Sequence, residues 1–63
     1  MGMIHAIKFR WVGEGKGWEW HAQFSDIKEA FYEYEQMVRA NSKVVKAGEL
    51  KIRMITKRER CYT

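Results

Sequence analysis

The 63-residue chain contains no proline and one cysteine, Cys61. A lone cysteine excludes an intramolecular disulfide, a pattern expected of a reducing, cytoplasmic setting. No apolar run approaches the ~20 residues that span a bilayer, and there is no signal-peptide core, so no membrane partner is expected. The opening Met1-Gly2 begins a myristoylation pattern, but Ala6 stands where that pattern needs Ser or Thr. No segment has linker composition or internal repetition, and residues 1–63 read as one domain. A chain this short buries only about 60% of the surface its unfolded form exposes. It has to economise, and three Trp, three Tyr and three Phe supply the largest buried area per residue.

Met3, His5, Ile7, Phe9 and Trp11 alternate with Ile4, Ala6, Lys8, Arg10 and Val12. Period-2 patterning of this kind predicts a strand over about 3–12. The pattern returns over 18–24, with Trp18, Trp20, Ala22 and Phe24 on one side and Glu19, His21 and Gln23 on the other. Between them lies "GEGKG", which resembles a phosphate-binding loop. Such a loop needs a helix directly after its glycines, so that backbone N–H groups point at the anion. A strand follows here, and the segment reads as a hairpin turn. Pairing Val12 with Gly17 sets Trp11 against Trp18, Phe9 against Trp20, Arg10 against Glu19 and Lys8 against His21. In that register the aromatic residues face the core.

"SDIKEAFYEYEQMVRAN" predicts a helix over about 26–41. Asp26 and Glu29 form a capping box, Asn41 a stop, and Ile27, Ala30, Phe31, Tyr34, Met37 and Val38 the buried stripe. Tyr32 falls off that stripe and is expected at the surface. Val44 and Val45 are placed in a loop, and "LKIRMITK" predicts a strand over about 49–57. The fold class is α+β: a single small ββαβ domain with a three-stranded antiparallel or mixed sheet, order 2-1-3, and one helix packed on one face. Residues 58–63 form a tail.

Charge separates the two sides. Residues 43–63 hold seven Lys or Arg against two Glu, a balance of +5, whereas 25–41 hold four acids against two bases. The sheet face away from the helix carries Lys8, Arg10, Lys51, Arg53 and Lys57, with Ile55 the apolar point among them and Glu19, His21 and Gln23 beside them. Such a face suits an acidic protein surface or a phosphate backbone, and equally serves as a solvated face. Base stacking needs aromatic residues among the cations; in this register they point the other way, so base-stacking recognition is not expected and a nucleic-acid reading must rest on contacts to the phosphate backbone. His5, His21 and Cys61 are scattered, with the two histidines on opposite faces, so no metal site or cofactor is expected. His21 beside Lys8 and Arg53 hints at acid–base chemistry on RNA. A flat sheet supplies no second proton-transfer group or water-excluding pocket, and no enzymatic activity is expected.

The hairpin, "FSDIKEAF" opening one helix and the closing basic strand "GELKIRMITK" together resemble small phage-encoded host-takeover proteins, such as the short podophage inhibitors of host RNA polymerase. The resemblance implies a non-catalytic protein in the bacterial cytoplasm, monomeric or weakly dimeric. It implies that the chain inhibits or adapts a host protein with an acidic surface, within the transcription or nucleic-acid-processing machinery. Lys51 and Arg53 in "LKIR" match that family's partner-holding arginines, and Glu29, Glu33 and Glu35 its acidic strip. The sequence reading is therefore a binding protein using the basic face, with direct nucleic-acid binding through the same residues as the alternative.

Overall fold

A computed structural model describes residues 2–58. Strand β1 (Met3–Trp11) leads through a single 3₁₀ turn at Val12–Glu14 to strand β2 (Glu19–Phe24). Helix α1 (Ile27–Ala40), the short helix α2 (Ser42–Lys46) and strand β3 (Leu50–Arg58) follow. The sheet order is β2-β1-β3, and β1 runs antiparallel to both neighbours. This is the α+β architecture read from the sequence, one main helix on a three-stranded sheet. Among the described residues no helix is long and apolar enough to cross a membrane. Residues 59–63, including Cys61, lie outside the described residues.

The local chemistry explains the boundaries. Gly15 closes the 3₁₀ turn at φ 69°, a left-handed conformation that costs an L-residue about 1–2 kcal/mol. The hairpin reading of "GEGKG" holds, but Gly15 alone among its glycines needs this freedom. Asp26 caps α1, its Oδ1 accepting from the Lys28 backbone N–H at 2.9 Å. Asn41 ends the helix, its Nδ2 donating to the Met37 carbonyl at 2.8 Å. The expected loop at Val44 and Val45 is instead the turn of helix α2, because Asn41 halts α1 without stopping helical bonding. Val45 N–H donates to the Asn41 carbonyl at 2.9 Å. Both valines are thereby half-buried, and Gly48 at φ 78° turns the chain into β3.

The two ladders differ. Strands β1 and β3 pair without a break from Met3↔Arg58 to Trp11↔Leu50. Strands β1 and β2 pair as His5↔Phe24, Ala6↔Gln23 and Ile7↔Ala22, then as Lys8↔Trp20 and Phe9↔Glu19. His21 is thus an extra residue, a β-bulge. The expected register holds on one side of it and slips by one on the other. Because side chains alternate, a one-residue slip moves each of them to the opposite face.

The layer under α1 is thin. Ile7, Ala30 and Leu50 are its most buried apolar residues, with exposures of 0%, 0% and 3%. His5 is also buried and places its Nδ1 2.9 Å from Thr56 Oγ1. Ala30 lets the helix approach the sheet closely, and Tyr34, Met37 and Val38 are half-buried beside it. Ile27 and Phe31, expected in the buried stripe, are each 52% exposed. Glu33, on the β2 flank of α1, is held 2.9 Å from His21. At 100° per residue, Ile27 and Phe31 then fall on the opposite flank, toward β3. The principal extents of 41 × 25 × 11 Å describe a slab one helix and one sheet deep.

Candidate nucleic-acid interface

The sheet face opposite α1 is assembled by strand parity and by the bulge. From β1 it takes Ile4, Ala6, Lys8 and Arg10, and from β3 Lys51, Arg53, Ile55 and Lys57. All six residues expected to form a binding face, Lys8, Arg10, Lys51, Arg53, Ile55 and Lys57, are brought together on it. From β2 the face takes Gln23 and, across from Lys8, Trp20. The expected core positions of Trp18 and Trp20 are therefore corrected. Trp20 is 50% exposed, and both indoles lie among the cations.

The contacts are specific. The ammoniums of Lys8 and Lys57 each lie 4.9 Å from the Trp20 ring centroid. The Arg53 guanidinium lies 4.9 Å from that of Trp18. Trp20 is rooted on one outer strand and Lys57 on the other, so the pair meets above the central strand. Ala6, the small β1 residue on this face near that crossing, has no exposed surface at all. A cation over an indole at a half-exposed site contributes about 0.5–1 kcal/mol.

Cations also face cations here. Lys8 is directly opposite Arg53 and Arg10 directly opposite Lys51, and like charges in such positions destabilise a sheet. The slip past His21 takes the expected neutralising neighbour away. Glu19 now pairs with Phe9 on the helix side. Among the described strand residues this face carries no carboxylate. Two indoles and five cations make a surface that is positive, partly apolar and flat.

His21 leaves the same face. Its Nε2 lies 2.9 Å from Glu33 Oε2 of α1, with both side chains about one-third exposed, at 33% and 38%. The expected neighbourhood of His21 and Lys8 is therefore absent, and with it the geometry of a ribonuclease-like acid–base pair. His5 and His21 both lie on the helix side, not on opposite faces. Among the described residues no group of three or more His, Cys, Asp or Glu is placed to hold a metal ion. A shallow depression of about 280 Å³ lies elsewhere, lined by Ala40–Val44 where the two helices join.

The sequence reasoning missed Trp18 and Trp20 as site residues. The sequence carries no signal for them, because Trp18 and Trp20 continue the alternation with Ala22 and Phe24. No family model, no curated protein and no solved structure matches the chain.

Proposed function

We propose that the open sheet face binds single-stranded nucleic acid. Phosphates would lie against Lys8, Arg10, Lys51, Arg53 and Lys57, with bases on the outer faces of Trp20 and Trp18. The bulge at His21, which places two indoles among these cations, carries this reading. Such interleaving is how sequence-tolerant single-strand binders work, because every base has a π-face and every nucleotide a phosphate. Trp20 is the second residue of β2 and Trp18 immediately precedes that strand, so the two indoles suit neighbouring bases of an extended strand. A duplex keeps its bases stacked inside and offers a flat indole nothing to cover. The like-charge pairs Lys8–Arg53 and Arg10–Lys51 support the same view, since a polyanion relieves a repulsion the free protein sustains.

The rival assigns the same cations to an acidic surface of a host protein, as the resemblance to polymerase inhibitors implies. One titration separates the two. A labelled 12-nucleotide oligo-dT, an oligo-rU of the same length and a DNA duplex are each titrated with protein at about 50 and 200 mM salt. Five phosphate contacts on a single strand give a log–log salt slope of about −3.5, or a loss of about 100-fold over that range. Trp20→Ala is expected to weaken binding about 5- to 150-fold, matching about 1–3 kcal/mol per stacked base. Lys51→Glu/Arg53→Glu is expected to abolish it. Absence of single-strand binding at 50 mM salt overturns the proposal and leaves the acidic protein partner.

A further inference from the structure

The two edges of the sheet are built differently. Strand β2 is six residues long and carries the bulge, a device that disrupts pairing along an edge. Strand β3 is nine residues long with a regular ladder and no proline. Which of its backbone groups are free follows from one bond. Val12 N–H donates to the Glu49 carbonyl at 2.9 Å, and hydrogen-bonded and non-bonded pairs alternate in an antiparallel ladder. Lys51, Arg53, Ile55 and Lys57 therefore spend their N–H and C=O groups on β1. Those of Leu50, Ile52, Met54, Thr56 and Arg58 point outward. Beside this edge sits the flank of α1 that the sheet leaves uncovered, with Ile27 and Phe31 each 52% exposed and Tyr34 stacked on Phe31 at 6.5 Å.

We infer that β3 is a homodimerisation edge: two copies pair antiparallel about a two-fold axis at Met54, making one six-stranded sheet. Parity admits only registers in which a residue faces its own copy, because paired residues must point to the same side. Centring on Ile55 sets Arg53 against the partner's Lys57 two residues from the axis and pairs only residues 52–58 of β3, and centring on Arg53 sets two guanidiniums face to face. Centring on Met54 puts Arg53 against the partner's Ile55 and Ile52 against the partner's Thr56. It also makes Met54 a hydrogen-bonded pair with its own copy, as the outward-pointing groups require. The Ile27–Phe31 flanks of the two helices then face each other across the axis. A two-fold interface is self-complementary, and this edge meets that condition with one like-charge contact, Lys51 against the partner's Lys57, near each end.

The strip is about 30 Å long at about 3.4 Å per residue. With two layers of depth it buries roughly 1,000 Å² in total, the lower limit for a specific interface. A reversible dimer is expected, not a permanent one. This inference is independent of what the open face binds.

Sedimentation equilibrium of the full chain at about 300 mM salt, from about 5 to 500 µM, tests it. The mass should rise from 7.6 kDa toward twice that value. Met54→Pro removes one outward N–H while leaving the β1 ladder intact, and should weaken association at least tenfold. Because Met54 also packs under the helix, Phe31→Glu at the exposed flank is the second variant, with the same expected loss. In a Cys61→Ser background, Met54→Cys should cross-link to its own copy under mild oxidation and Ile52→Cys should not. A mass of 7.6 kDa at every concentration overturns the inference. So does a dimer that neither variant weakens, or a cross-link that favours position 52.

Discussion

Deleting His21 separates the bulged sheet from a regular one more sharply than any substitution. In the structure Trp20 already faces Lys8 and Ala22 already faces Ile7, with His21 the surplus residue between them. Removing it closes the ladder and changes the face of no other side chain. The loss is the contact between His21 and Glu33, a partly exposed pair whose contribution is about 0–1 kcal/mol. For a domain of this size 1 kcal/mol corresponds to about 4–8 °C in Tm, so the deletion should lower Tm by no more than about 8 °C. In an uninterrupted ladder the same deletion would drive Trp18 and Trp20 from the core to the surface. Loss of one large aromatic side chain from a core costs about 3–5 kcal/mol. Domains below about 70–80 residues have about that much stability in all, so such a deletion would unfold the chain.

Two measurements decide. Thermal unfolding followed by far-ultraviolet circular dichroism reports whether the deletion variant still folds cooperatively. Nuclear Overhauser contacts between the Trp20 indole and the Lys8 side chain report the face. A folded variant with that contact retained is expected. An unfolded variant, or one whose Trp20 indole contacts Ala30 instead, would refute the register and with it the argument for the open face.

Two further outcomes follow from the thin core. Ile7→Ala removes the one large side chain that is fully buried among the described residues; a loss of about 2–5 kcal/mol should leave the protein largely unfolded at 25 °C in urea titration. Asp26→Ala removes the cap on α1 and should cost about 1 kcal/mol, seen as a fall in Tm of about 4–8 °C with no change in single-strand binding.

Most of the architecture was legible because each element carries its own signal. Strand β3 alternates Leu50, Ile52 and Met54 with charges, and helix α1 announces itself at Asp26 and stops at Asn41. Strand order followed from the fewest crossings. What was not legible is the phase of β2. The run from Trp18 to Phe24 alternates perfectly, and nothing in it marks an interruption, since Ala22 tolerates either face. A bulge shifts phase by one residue without altering composition, so period-2 reasoning extends the wrong side through it. The basic residues were found because β1 and β3 pair regularly; the two tryptophans were lost because β1 and β2 do not. Ile27 and Phe31 were misassigned for a different reason. A helical stripe says which side is apolar, but not how much of that stripe the sheet covers, which is settled by packing between elements.

Those two errors share one residue. As the bulge, His21 turns Trp18 and Trp20 outward into the cations; as the partner of Glu33, it fixes which flank of α1 faces β2, and Ile27 and Phe31 lie exposed on the other. The bulge also disrupts the β2 edge, so the regular edge available for pairing is the one next to the uncovered flank. In a dimer paired along β3 the two basic faces would join into a single surface, with Lys51 and the partner's Lys57 as its closest like charges. A nucleic-acid strand laid across that seam would neutralise the repulsion. Dimerisation and strand binding should then strengthen each other, as thermodynamic linkage requires when one ligand favours the associated state.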